Sequence, residues 1–392
     1  MKPIFADLHI HIGRTDNGTP VKISGSRNLS FYNIAKEASE RKGIELIGII
    51  DCHSPAVQED MIRYLDAGEM SEVSGGGIRY QQTTVLLGCE LEVKEEHTGP
   101  AHLLVYFPDL STMQKWTAWH RRHVKNITLS SQRTYAPARE IQQVVYELGG
   151  VMIPAHIFTP HKSLYGSCTD RLESVLDPIL IEAVELGLSA DTRMAGYLSE
   201  LDRYPFITNS DAHSLGKIGR EYNLLRMEEA SFDEWLKALR GEGDRGIIAN
   251  YGLNPLLGKY HRTYCLNCGT IIDDPETVVG RCSYCGSTKI TSGVMDRIRD
   301  IADRDEPKVD PSRPPYHYQI PLDFIPGLGK RTLALLMERF GTEMNILHRV
   351  PEAELIEAVG EKLSRYIIQA RQGTLDISTG GGGKYGKVQT ES

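Results

Sequence analysis

Six short apolar runs in the first 250 or so residues of the chain break off beside histidines and carboxylates, and this pattern constrains the fold most. The runs end at Asp7-Leu8-His9, Ile49-Ile50-Asp51, Leu86-Leu87-Gly88, Leu103-Leu104-Val105, Val151-Met152-Ile153 and Phe206-Ile207-Thr208. Between them lie helix-like stretches such as Asn33 to Arg41, Pro137 to Leu148 and Phe232 to Leu239. Glu140, Ile141, Val144, Val145 and Leu148 repeat at helical spacing. Strand-helix alternation to about Tyr251 predicts an α/β fold with a parallel sheet, closed most economically into a barrel. Such folds gather their chemistry at the carboxyl ends of strands, where these polar residues fall.

The histidines and carboxylates suit metal binding. Residues two apart on a strand face the same side, so His9 and His11 point into one cavity. Asp16, Asp51, His53, Glu90, His102, His156, Asp211 and His213 follow. Mixed imidazole and carboxylate donors suit Zn²⁺, Mn²⁺ or Fe²⁺. A single strand-end histidine is more often a hydrogen-bonded core residue, but that reading must hold independently at every one of these positions. So many donors exceed one ion's needs, and two or three clustered metals are expected.

A chain of 392 residues is too long for one ordinary core, so two or three domains are expected. With 40% hydrophobic and 24% charged residues it has the balance of a folded soluble protein. No apolar run approaches the ~18 residues of a membrane span. Polar chemistry begins at Asp7, His9 and His11, so no signal peptide is expected and the expected location is cytoplasmic. Four of the seven cysteines form the pairs Cys265/Cys268 and Cys282/Cys285, thirteen residues apart, each followed by glycine (Gly269, Gly286). This is the spacing of a zinc ribbon, with a redox dithiol as the alternative. Four thiolates leave no open position, which favours one structural zinc over a catalytic one.

In this order, the motifs around His9 and His11, Glu90, His156, and Asp211 with His213 resemble the PHP (polymerase and histidinol phosphatase) superfamily over about the first 250 residues. The resemblance implies a PHP-type (β/α)7 barrel, up to three metals at the strand ends, and phosphoester hydrolysis. It implies His9, His11, Glu90, His102, His156, Asp211 and His213 as ligands. The usual adjacent Asp-His pair is here Asp51-Cys52-His53, with His53 taken as ligand and Asp51 as support; Asp16 matches a loop ligand of some members. Clustered ions suit this reaction because they lower the pKa of water and neutralise phosphoryl oxygens. Glu90, His156 and Asp211 are the expected catalytic residues; whether Asp211 bridges ions or accepts a proton is open at this level.

A proline-rich connector (Pro307, Pro311, Pro314, Pro315, Pro321) leads to Gly327-Leu328-Gly329, followed by Lys330 and Arg331, which resembles a helix-hairpin-helix contact with DNA backbone. A Gly-x-Gly helix cap is the plain alternative. Barrel, ribbon and hairpin in this order resemble the endonuclease Q family, to about residue 372. The resemblance implies nicking on the 5′ side of deaminated bases (uracil, hypoxanthine, xanthine) and abasic sites, leaving 3′-hydroxyl and 5′-phosphate ends. It also implies a flipped base, with Ser189 and Asn209 as candidate base contacts. The expected divisions are 1–252 (barrel), 253–292 (ribbon), 293–321 (helix and linker), 322–372 (hairpin module) and 373–392 (disordered tail). Active-site ions are expected to be Zn²⁺, Mn²⁺ or Mg²⁺.

The net charge of -8 speaks against nucleic acid as a partner, but local patches decide. Lys115 to Arg139 holds six basic residues and no acidic one, interleaved with Trp116, Trp119 and Tyr135. It reads equally as a DNA path or as a solvated helix face with a core tryptophan. A nuclease without lesion preference (a 3′–5′ exonuclease), a DNA-binding scaffold with an inactive site and a small-molecule phosphatase are the competing functions. Residues Lys384 to Val388 are a position for a sliding-clamp or repair partner, without a recognisable motif.

Overall fold

The computed structural model describes residues 1–272, 280–381 and 384–388. Seven strands form the barrel: β1 (Lys2–Ile10), β2 (Leu46–Ile49), β3 (Thr83–Val93), β4 (Ala101–Phe107), β5 (Val151–Pro154), β6 (Val184–Glu185) and β7 (Phe206–Ile207). β1, β2 and β3 pair in parallel, as do β6 and β7. Ile157 N–H donates to the Glu185 carbonyl at 2.9 Å, linking β5 to β6. The ring closes where Ala212, just past β7, bridges Ile10 in parallel.

Among the seven barrel strands the expectation of a parallel sheet fails at one. β4 runs antiparallel to both β3 and β5. The segment between β3 and β4 carries no helix, and so short a link reverses the chain instead of crossing over. The architecture is the PHP-type α/β barrel with this one reversal. Ile4, Ala6, Leu8, Leu46, Leu86, Leu104, Ile153, Ala183 and Ile207 share one buried cluster, joined by Phe232 and Trp235 of the helix Phe232–Arg240. Strand residues are buried on both faces, which is why these runs read as continuous apolar sequence.

β8 (Tyr222–Met227) pairs antiparallel with the start of β1, and β9 (Gly246–Gly252) antiparallel with β8. The connector expected as a linker returns to this sheet, with β10 (Tyr316–Tyr318) parallel to β9. Arg313 donates to the Tyr204 carbonyl at 2.8 Å, and Arg304 pairs with Asp202 at 2.5 Å, so the connector is strapped along the barrel. In the cysteine region a two-residue ladder, Tyr264–Cys265 with Ile290–Thr291, holds the knuckles together.

Beyond residue 322 lie helices Lys330–Phe340, Glu343–His348 and Glu352–Gln372. The stretch before Gly327 is a single turn of 3₁₀ helix, Leu322–Phe324, so the first hairpin has a short leading arm. Gly360 breaks the last helix in two with φ 79° and ψ 165°, a conformation open to glycine, so the second hairpin turns there. His348 docks this module on the barrel: its ring lies 4.7 Å from that of Phe5, and it accepts the Tyr222 hydroxyl at 2.7 Å.

The tail expected to be disordered is ordered where it is described. Ile377–Ser378 pairs with Lys387–Val388, and Gly380 and Gly386 donate to the Leu256 and Leu257 carbonyls at 2.7 and 3.0 Å. Leu375 is buried in the main core cluster, and Ile377 and Val388 pack against it. Residues 382–383 and 389–392 of that expectation lie outside the described residues.

Candidate metal centre at the barrel mouth

β1 delivers His9 and, one residue past its end, His11; β3 delivers Glu90 and β4 His102. His156 follows β5, and Asp211 and His213 follow β7. Glu90 is the hub. Its Oε1 lies 2.9 Å from His102 Nδ1 and 3.5 Å from Nε2 of both His9 and His156. Its Oε2 lies 3.5 Å from His11 Nε2. Asp211 Oδ1 stands 3.5 Å from His9 Nε2, 3.6 Å from His11 Nε2 and 3.5 Å from His213 Nδ1.

His156 and Asp211 adopt left-handed backbone, φ 31° and 45°. Non-glycine residues take such angles where surrounding structure forces them, commonly at functional sites. Gly187 permits the close packing: a Cβ there would fall 2.8 Å from that of His156.

A surrounding set of residues aims the imidazoles. His9 Nδ1–H donates to Glu185 Oε1 at 3.0 Å; Glu185 also accepts from Asn209 Nδ2 at 2.7 Å and from the His156 N–H at 2.8 Å. His11 Nδ1–H donates to Asp51 Oδ2 at 3.1 Å, and Asp51 accepts the Ile12 N–H at 2.7 Å. Burial works to lower the His9 pKa, but the Glu185 and Asp211 carboxylates outweigh it and raise it well above the ordinary value. Burial, helped by Lys22, pushes His11 down to about 4. Burial disfavours charge on Glu90, yet His102 and Lys22 hold its carboxyl well below the usual range.

These residues fit divalent ions. Nε2 of His9, His11 and His102 is buried without a hydrogen-bond partner, a costly state for imidazoles unless an ion takes the lone pair. Donor atoms of His9, His11 and Glu90, of Glu90, His102 and His156, and of His11, Asp211 and His213 each lie within 4.8 Å of one another. The four sulfurs of Cys265, Cys268, Cys282 and Cys285 converge equally closely, with Cys265 and Cys285 3.6 Å apart, the donor set of a tetrahedral zinc.

Two expected ligands are placed elsewhere. Asp16 turns outward to Arg63 at 2.6 Å and to the Tyr64 hydroxyl, because helix Pro55–Asp66 presents those partners beside its loop. His53 stays buried but packs its ring 5.5 Å from that of His120 and donates Nε2–H to the Leu129 carbonyl at 3.3 Å. Cys52 stands between Asp51 and His53, and of the two only Asp51 reaches the centre, through His11. Trp116 is fully buried against Phe107 and Trp119, so it anchors the core. Tyr135 is exposed between Lys125 and Arg133.

The cluster floors a cavity of about 510 Å³, whose wall includes Lys22, Lys217, Arg220, Lys259, Tyr260 and Tyr385. Ser189 and Asn209 also line it. Asn209 Oδ1 accepts from the Leu8 N–H at 2.9 Å and from Asn223 Nδ2 at 3.2 Å, which with its bond to Glu185 leaves one N–H unspent. Beside Gly327 and Gly329 an added Cβ would meet nothing within 4 Å, and Lys330 and Arg331 are exposed. Reading the sequence missed Glu185, Lys22, Arg220 and Tyr385 as parts of the site. Glu185 ends an apolar stretch as the ligands do and was open to discovery; the others sit on loops without a local pattern.

Comparison with known proteins agrees with this geometry. The family described as PHP-associated matches residues 191–242. The crystal structure of the lesion-specific endonuclease PfuEndoQ from Pyrococcus furiosus superposes with a TM-score of 0.86 at 31% identity, covering 100% of this chain and 96% of that one. The chain belongs to the endonuclease Q family. A structure of endonuclease Q with a 27-mer duplex carrying an abasic lesion at its active site matches with a TM-score of 0.85, also at 31% identity, over 100% of this chain and 97% of that one. Bacillus subtilis YqxK, an uncharacterized protein, is 52% identical over 391 residues, 99% of this chain and 100% of its own length. Methanocaldococcus jannaschii MJ0043, also uncharacterized, is 37% identical over 254 residues, 59% of this chain and 31% of its own. Among the described residues no helix is long and apolar enough to cross a membrane.

Proposed function

We propose that this endonuclease Q family member is a metal-dependent DNA repair endonuclease that nicks the phosphodiester on the 5′ side of deaminated bases and abasic sites, leaving 3′-hydroxyl and 5′-phosphate ends. One observation carries the reading: a histidine–carboxylate cluster with unpartnered ring nitrogens and five cationic side chains line the same cavity. An anionic ester is drawn to such a wall and met by the cluster.

In this reading His9, His11, Glu90 and Asp211, with His213 at the rim, hold one ion, and Glu90, His102 and His156 hold a second. Bound divalent ions supply an activated water and charge neutralisation at the phosphoryl oxygens. Glu185 and Asp51 fix the tautomers of His9 and His11, so that both Nε2 atoms face the cluster. Arg220 and Lys259 hold the phosphate. Ser189, with the remaining N–H of Asn209, contacts a flipped base, both residues lining the cavity beside the cluster. The backbone around Gly327 and Gly329, with Lys330 and Arg331, holds the duplex, and the four cysteines bind one structural zinc.

Matched labelled duplexes with and without one deoxyuridine, incubated with Mg²⁺ or Mn²⁺, test the proposal. A single nick 5′ to the uracil is expected, with the undamaged twin intact. Equal ladders on both duplexes would replace the proposal with a general nuclease.

A further inference from the structure

We infer that the C-terminal hairpin is part of the phosphate-binding wall, and that Tyr385 is a positioning residue that holds the Arg220 guanidinium and the Lys259 ammonium towards the scissile phosphodiester. This rests on the phosphodiesterase reading above. The tail is shaped for close docking. Ile377–Ser378 pairs with Lys387–Val388, and a Cβ on Gly386 would fall 2.0 Å from the Ser378 carbonyl oxygen, so only glycine lets the two arms meet there. Gly386 in turn donates to the carbonyl of Leu257, two residues before Lys259. Tyr385, next to this anchor, is half-buried and lines the cavity.

The five cations that line the cavity fall into two groups. Lys22, Lys162 and Lys217 are paired with Glu90, Glu92 and Asp323 at 3.3, 2.9 and 2.8 Å. Among the described residues Arg220 and Lys259 form no ion pair with a carboxylate, and both lean on Tyr385. Arg220 Nη1 donates to the Tyr385 hydroxyl at 2.8 Å, while its Nε donates to the Ser210 carbonyl at 2.8 Å. The guanidinium is therefore fixed by the tail on one side and by the loop that carries Asp211 on the other. Lys259 Nζ lies 4.7 Å from the centre of the Tyr385 ring and Arg220 Cζ 5.7 Å from it, both within the range of cation–π attraction. A carboxylate in this place would hold the two cations and cancel their charge. A phenol holds them through its ring and hydroxyl without a counter-charge, which leaves their field for an anionic ester.

The test measures the affinity of the full-length holoprotein for two deoxyuridine duplexes that differ only at the linkage 5′ to the uracil, a charged phosphorothioate in one and an uncharged methylphosphonate in the other. Tyr385→Phe keeps the ring and removes the hydroxyl, so it is expected to weaken binding of the phosphorothioate duplex about 10-fold, the usual loss for one hydrogen bond to a charged group. Binding of the methylphosphonate duplex is expected to stay as in wild type. Tyr385→Ala also removes the ring and is expected to weaken the phosphorothioate duplex about 10²-fold. Equal weakening of both duplexes would make Tyr385 a support of the fold alone, and unchanged affinity for both would free the tail of any part in phosphate binding; either result overturns the inference. If wild type nicks no deoxyuridine duplex, the functional reading fails, and the pair of affinities still decides whether Tyr385 acts on that phosphate.

Discussion

The four-cysteine cluster and the barrel cluster each gather donors that could hold a metal ion, and they are assembled in opposite ways. The cysteines come from two tight turns, the pairs spanning only residues 265–285, and their sulfurs close on one another. The barrel donors come from five strands and the loops after them, between residues 9 and 213, and one carboxylate, Glu90, touches donors of both sites. A local cluster of four thiolates saturates an ion and holds a fold. A dispersed cluster around a shared carboxylate faces the cavity, and ions held there would be open to water and substrate. Structural and chemical roles follow from that difference in assembly.

The comparison breaks first at the cysteines. Cys265→Ser with Cys282→Ser should remove one zinc and unfold the segment around the ladder, as metal affinity in such sites is folding energy; metal analysis and limited proteolysis check it, and the barrel metals should be unaffected. Glu185→Gln probes the dispersed cluster at its support. With His9 no longer held by a carboxylate, barrel metal affinity should fall about 10–100-fold while the zinc stays, read by chelator competition.

A smaller effect concerns the docked helical module. Burial, with Arg371 and Arg349 nearby, lowers the His348 pKa to about 4. The unfolded chain takes up that proton near the ordinary imidazole value of about 6.5. The folded state therefore binds fewer protons across this window, and stability should decline as pH falls from about 6.5 towards 4. His348→Gln should flatten that slope in denaturant titrations at stepped pH. The smallest effect is expected at Asp16. Asp16→Asn should leave metal content and nicking unchanged and cost about 1 kcal/mol or less of stability, since its partner Arg63 is exposed. A loss of barrel metal in that variant would return Asp16 to the ligand set.

The same contrast explains what was legible in the sequence. The cysteine spacing states its own geometry, because everything that matters lies within two turns. Most barrel donors were legible as residue types at strand ends, since their strands carry them to one rim. Asp16 and His53 lie away from the cluster because loop direction depends on partners distant in sequence, Arg63 for one and His120 for the other. The reversed β4 followed from a short link whose shortness was visible but not weighed. Tyr385 was hidden for a different reason: the tail has no apolar pattern and is held by backbone bonds to Leu256 and Leu257, with its hydroxyl accepting from Arg220 Nη1 at 2.8 Å.

Glu90→Gln tests the central claim most directly, with metal content, DNA binding and nicking measured on one preparation. If Glu90 joins both ions of a nuclease centre, the variant keeps its single cysteine-bound zinc and its affinity for damaged duplex, loses both barrel metals and stops nicking. A variant that still nicks a deoxyuridine duplex, or that keeps two barrel metals, would contradict the account.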